Sequence, residues 1–327
     1  MTIDAIRDKV QRLKGSQHTT AVMYFILNAA RVFRLRKVSL TQDAQQEATR
    51  ALIEDLEQFF NGDYVLRDLT NADQRDNAIY SYNLPRKPEQ LDLLILSFQD
   101  QGQTPEFDHV NDSLADVKAI VLTVGDGQDK LSVYKHHFPT NTYRHSGFSI
   151  LRVGMNQNRF KQLDEDIVRV GRSIDFLYDG ADVYVTNFKI LERFFGFKDV
   201  IKAEAEGKLN QLAERDIIEN IEVLRERIVE LGDTTFSKKV IRALVHSPVL
   251  DRVGNDRIIR FVRGHHILGK KIRVNDAGTQ FNLDTKISQN FFIKLLNDDY
   301  LKSELTNFDY DADNKDIVEV ENDNANA

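Results

Sequence analysis

The sequence contains no cysteine among its 327 residues. That absence excludes a disulfide framework, a thiolate zinc site and a cysteine nucleophile, and it fits a reducing cytosol. Long hydrophobic runs are missing too. None approaches the roughly 20 apolar residues that a helix needs to cross a bilayer, so any membrane role is expected to come through a partner. The opening stretch MTIDAIRDKVQRLKG lacks the apolar core of a signal peptide and reads as a short amphipathic helix. A Gly-x-Ser-x-Gly nucleophile elbow is also lacking.

What is present suggests an ordinary globular protein, 41% hydrophobic and 29% charged, with a net charge of −7. The charge is uneven. From Asp309 onward the chain has seven acidic residues and one lysine, so the remainder is close to neutral. The tail's polar, acidic composition predicts disorder over 309–327. Overall charge therefore says little about partners, and local patches must decide.

The stretch Ile174–Phe197 organises the fold. Two β-forming runs, Ile174–Tyr178 and Val183–Thr186, flank Asp179-Gly180, a dipeptide suited to a hairpin turn. Asn187 is placed to cap a helix faced by Phe188, Leu191, Phe194 and Phe195, and Gly196 to end it. Upstream, Thr20–Leu27 and Arg31–Val38 read as strands, Thr41 as the cap of a helix to Phe60, and Ala78–Leu84 as a strand. Gln90–Phe98 fits either a helix or a buried strand, and polar Gln99–Ser113 is the expected lobe boundary. Val117–Val124, Lys130–His136 and Phe148–Val153 are further strands. Helices are expected across Asp199–Ser247 and Lys286–Leu305, with a hairpin turning at Asn275–Gly278. Strands succeed one another without regular helical crossovers, which predicts an α+β protein with an antiparallel or mixed sheet. The expected domains are an N-terminal lobe at 1–110, a C-terminal domain at 111–308 and the acidic tail.

Several motifs suggest chemistry, and each has a plainer reading. Gly125-x-Gly127 resembles a phosphate loop, but a strand follows it where a helix would be required. Glu206-x-Lys208 matches the acid–lysine pair of metal-dependent nucleases, yet its context is helical. The neighbouring His136 and His137 would point to opposite faces of a strand, and His265-His266 has no carboxylate spaced to assist. No catalytic residue, metal or cofactor is assigned. Ile217, Ile221, Leu224, Ile228 and Leu231 alternate steps of four and three, a spacing shared by a helix packed on its own sheet and by a coiled-coil seam, the latter suggesting a homodimer or higher oligomer.

The strongest functional feature is Phe236–Arg273. Lys238, Lys239, Arg242, Arg252, Arg257, Arg260, Arg263, Lys270, Lys271 and Arg273 face only Asp251 and Asp256 there. Helical spacing puts Arg257, Arg260 and Arg263 on one arc, with Phe261, Ile258, Val262 and Ile259 opposite. Helix, turn, basic helix and then a hairpin is the order of a winged helix. Such a patch on a nearly neutral body favours an anionic partner, DNA above all, bound with little sequence preference.

Two stretches, LLNDDYLKSELTNFDYDADNK (Leu295–Lys315) and DVYVTNFKILERFFGF, resemble a bacterial family formerly known as a domain of unknown function, the Kiwa B family of anti-phage defence proteins. The resemblance runs from about Leu114 to Lys315. It implies a cytoplasmic, non-enzymatic DNA-binding effector, recruited to the inner membrane by a membrane-spanning Kiwa A-like partner, that hinders phage DNA replication or expression. It supplies no catalytic motif. Two alternatives stay open: a metal-dependent nuclease assembled from residues distant in sequence, and a scaffold docking an acidic protein or anionic lipid.

Overall fold

The computed structural model describes residues 2–71, 77–143, 150–153, 159–162, 165–302 and 309–311. The chain forms two compact units, one of residues 1–69 and 76–197, the other of 70–75 and 198–327.

The first unit is built on one sheet. Its helices and strands begin with α1 (Ile3–Gly15), β1 (Thr20–Ala29), β2 (Val32–Val38), α2 (Gln42–Phe60), β3 (Val65–Asp68), β4 (Ala78–Ser81) and α3 (Glu89–Gln99). Then come β5 (Val117–Gly125), β6 (Lys130–His136), the small ribbons β7 (Thr142–Tyr143) with β10 (Ile167–Val168) and β8 (Ile150–Val153) with β9 (Arg159–Gln162), and finally β11 (Phe176–Tyr178), β12 (Val183–Val185) and α4 (Phe188–Phe194). Eight strands pair in the order β2-β1-β5-β6-β11-β12-β4-β3. Only β3 and β4 run parallel, so the sheet is mixed and the fold is α+β, as the strand succession predicts.

Alternation along the central strands explains why they read as continuous apolar runs. Met23, Phe25 and Leu27 of β1 and Ile120, Leu122 and Val124 of β5 share a core with Ile6, Val10 and Leu13 of α1 and Leu52 and Leu56 of α2. The opposite face packs on α3, where buried Ser97 lies 3.5 Å from Thr123, itself 2.6 Å from Ser132. Both faces are covered, so nearly every residue of β5 is buried.

The lobe boundary expected at residue 110 falls inside this unit. β5 pairs with β1 from Thr20↔Gly125 to Leu27↔Val117, and joins the residues on either side of 110 in one sheet. The 99–113 segment runs along the outer edge of β2. Lys37 N–H donates to Pro105 and Phe107 N–H to Lys37, and Arg36 binds Asp112 at 2.9 Å. Composition marks this segment as irregular, but its work is to cover an edge strand.

The organising hairpin has the expected form. Buried Asp179 accepts from Ala181 and Asp182 N–H at 2.8 and 2.9 Å and from the Tyr184 hydroxyl at 3.0 Å. Gly180 has φ +103°, and an added Cβ would meet Phe98 at 3.0 Å. Asn187 caps α4 by accepting from Ile190 N–H, and also donates to Asp175 at 2.8 Å.

The second unit is helical: α5 (Phe197–Ala213), α6 (Glu222–Val229), α7 (Thr234–Val245), α8 (Pro248–Arg252), α9 (Asn255–Gly264), α10 (Leu268–Lys271) and α11 (Lys286–Leu296). The ribbon β13 (Arg273–Val274) with β14 (Phe281–Asn282) lies between α10 and α11, and β15 (Tyr300–Lys302) pairs with β16 (Asp309–Asp311). The helix expected to reach Leu305 thus stops at Leu296. Among the described residues no helix is long and apolar enough to cross a membrane. Most of the expected disordered tail, 312–327, lies outside the described residues.

Candidate nucleic-acid interface

α9 is strongly amphipathic. Ile258, Ile259 and Val262 are buried, whereas Arg257, Arg260 and Arg263 are exposed on the arc that their spacing dictates. Lys239, Lys270, Lys271 and Arg273 are also exposed, and Lys238 and Arg242 are half-buried on α7. The side chains of Lys239, Arg242, Arg257, Arg260, Arg263, Lys270, Lys271 and Arg273 make no ion pair or side-chain hydrogen bond among the described residues. Their charge is therefore available to a ligand. The Arg263 guanidinium lies over the ribbon turn. A Cβ added to Gly278 would come within 2.7 Å of Nη2.

Two expectations about this region need correction. Phe261, expected to face the core, is 48% exposed. It follows Arg257 by four residues, a rotation of about 40° in the helical projection, and so shares the basic arc. The winged-helix order is also interrupted. α10 stands between α9 and the ribbon, and Phe281 of β14 is fully buried. A bridge from Ile218 to Phe281 completes this tie, so the ribbon is part of the core rather than a projecting wing.

The coiled-coil seam does not form a surface. α6 covers only Glu222–Val229, leaving Ile217, Ile221 and Leu231 outside it. Ile217, Leu224 and Ile228 are fully buried within their own unit, and Leu231 is exposed at 61%. The apolar periodicity records packing inside the protein. On the same helix Arg227 is buried, paired with Asp233 at 2.9 Å and stacked 3.7 Å over Phe236.

The catalytic motifs take structural roles. Gly125–Asp129 is the turn between β5 and β6. Glu206 and Lys208 lie on α5, where Glu206 meets Arg225 at 3.5 Å and Lys208 donates to Gln211 at 3.3 Å. His136 stacks on Phe194 with ring centroids 4.1 Å apart, while His137 contacts the Thr142 hydroxyl through Nε2 at 2.6 Å. His265 Nδ1 accepts from Ile267 and Leu268 N–H at 3.3 Å, a local turn contact. Among the described residues no group of three or more His, Asp or Glu side chains is placed to hold a metal ion.

Most of the perturbed titrating groups lie in the first unit; in the second, hydrogen bonds from Phe236 N–H and Arg227 hold the Asp233 carboxyl below its ordinary value despite its burial. Burial lowers the Lys135 ammonium and raises the Asp175 carboxyl, and burial with the nearby His137 and Lys118 charges lowers His136 to about 4. Such shifts often mark active sites, but here each group is tied into the fold. Lys135 pairs with Asp55 at 2.9 Å on the wall of an apolar cavity of about 570 Å³. Asp175 accepts from His136 N–H at 2.6 Å and from Asn187, linking β6 to the cap of α4. Sequence reasoning missed both ties, since neither pair is close in the chain.

A family model described as Kiwa protein KwaB-like matches residues 114–306. A relative described as Kiwa protein KwaB, from Escherichia coli O55:H7 (strain RM12579 / EPEC), is 30% identical over 259 residues, covering 79% of this chain and 81% of its own length. No solved structure matches.

Proposed function

The chain belongs to the KwaB-like family of Kiwa proteins, and from that premise we propose that it is a non-enzymatic DNA-binding effector of anti-phage defence. The observation that supports this reading is the basic surface formed by Lys239, Arg242 and the cations of α9, α10 and β13, which meet no acid among the described residues. Exposed guanidinium groups without acidic partners break no ion pair on meeting phosphates, and each can offer two donors to one phosphate. Binding of this kind releases condensed counterions and reads little sequence, which suits a defence protein that must act on any phage genome. The bound DNA is then unavailable for replication or expression.

In this reading a Kiwa A-like membrane protein recruits the chain to the inner membrane. Expressed alone, the protein should fractionate away from membranes, and co-expressed with that partner it should pellet with them. Self-association in this reading uses residues other than the buried Ile217, Leu224 and Ile228.

The reading is tested by fluorescence anisotropy with labelled DNA. The Arg257→Ala/Arg260→Ala/Arg263→Ala protein should lose about tenfold or more in affinity at low salt while keeping its thermal stability. Wild-type affinity in the triple variant would move the DNA site elsewhere. DNA cleavage dependent on a divalent cation would replace the reading with the nuclease one.

A further inference from the structure

Phosphate contacts account for the arginines of α9 but not for the aromatic residue between them. Phe261 is 48% exposed on the same arc as Arg257 and Arg260. It continues into a short run of rings: Phe261 to His265 at 5.4 Å, and His265 to His266 at 5.1 Å with planes only 11° apart. The turn contacts from Ile267 and Leu268 to Nδ1 fix the His265 ring. The last turn of α9 thus presents an exposed phenyl ring beside cations that have no partner among the described residues.

We propose that this surface is a stacking platform for single-stranded DNA, with Phe261 receiving an unpaired base while Arg257, Arg260 and Arg263 hold the flanking phosphates. The inference rests on the DNA-binding reading above and specifies the form of DNA. In a duplex the base faces are covered by their neighbours, so a phenyl ring among phosphate contacts gains little. In a single strand every base offers a π-face, and aromatic stacking beside a basic track gives affinity with little sequence preference. Single strands arise wherever a genome is replicated or resected, so such a platform would act on DNA in use.

The test compares a fluorescent oligothymidylate of about 20 nucleotides with a duplex of the same length, using the full-length protein at one salt concentration. Wild type should bind the single strand more tightly. Phe261→Ala should weaken that binding by about tenfold and leave duplex affinity within about twofold, whereas Phe261→Tyr should retain it. Because Phe261 is exposed, its replacement should leave the melting temperature unchanged, which a thermal scan checks directly. Equal binding of both forms by wild type, or a Phe261→Ala protein that loses nothing on the single strand, overturns the platform while leaving the phosphate reading intact. Equal losses on both forms also overturn it, by assigning Phe261 to a wedge in duplex DNA. Failure of wild type to bind either probe overturns the DNA-binding reading and the platform with it.

Discussion

The two units use their cations differently. In the sheet unit, several cations serve the fold through ion pairs. Arg36 binds Asp112, Arg12 binds Asp129 at 2.6 Å, Lys14 binds Glu57 at 2.7 Å, and Lys135 is buried against Asp55. In the helical unit, α9, α10 and β13 carry exposed cations that no described acid neutralises. The first pattern fixes register and closes edges. The second contributes little to stability and leaves a field that an anion can meet. Charge counted along the sequence does not distinguish these patterns, because Arg36 and Arg257 look alike until their surroundings are known.

If this division is right, removing a paired charge from the first unit should cost far more stability than removing a free one from the second. The largest effect is expected from Asp55→Ala, which strands the Lys135 ammonium in the interior and should destabilise by roughly 3–5 kcal/mol in urea unfolding. Replacing both partners, as Asp55→Leu with Lys135→Met, should recover most of that loss. A small effect of the single change would mean that the pair is solvated and the contrast between units weaker.

A smaller cost is expected at Gly278→Ala. The residue has φ +79°, and a Cβ there would displace the Arg263 guanidinium. A loss of about 1–2 kcal/mol should accompany weaker DNA binding, both read on one preparation. Reduced stability with unchanged binding would separate Arg263 from the interface.

The third effect is a dependence on pH. His136 is held at about 4 by burial and the neighbouring charges, and its buried Nδ1 has no hydrogen-bond partner among the described residues. The unfolded imidazole, with a pKa of about 6.5, takes a proton first, so stability should fall as the pH drops from about 6.5 towards 4. Asp175, raised by burial, opposes this slope, since its unfolded carboxyl ionises at lower pH than the folded one. The urea midpoint should therefore decline modestly on acidification, and His136→Phe, which keeps a ring against Phe194, should flatten the decline. An identical slope in the variant would assign the titration to other groups. Smallest of all is Arg257→Ala, expected to change stability by no more than about 0.5 kcal/mol.

Locally encoded features were legible: the Asp179-Gly180 turn, the Asn187 cap, the β5–β6 hairpin and the arc of Arg257, Arg260 and Arg263 each depend on residues within one or two turns of chain. Features set by distant partners were not. The pairing of β1 with β5 places residues far apart in sequence side by side, so a polar stretch between them resembled a boundary. The 217–231 periodicity was genuine, but apolar spacing cannot tell an external seam from an internal one. Helical spacing groups Phe261 with the apolar residues of α9, and only the burial of Ile258, Ile259 and Val262 shows that the helix already has its core face without it.

The salt dependence of DNA affinity in three proteins decides whether the helical unit carries the phosphate contacts. The three are wild type, the Arg257→Ala/Arg260→Ala/Arg263→Ala variant, and a control in the sheet unit, Arg31→Ala/Arg34→Ala, which removes two exposed arginines at β2. If the helical unit carries the phosphate contacts, log affinity against log salt should be steep for wild type and shallower by about two to three units in the triple variant. The control should keep the wild-type slope. A slope unchanged in the triple variant and reduced in the control would contradict the account, placing the DNA on the sheet unit.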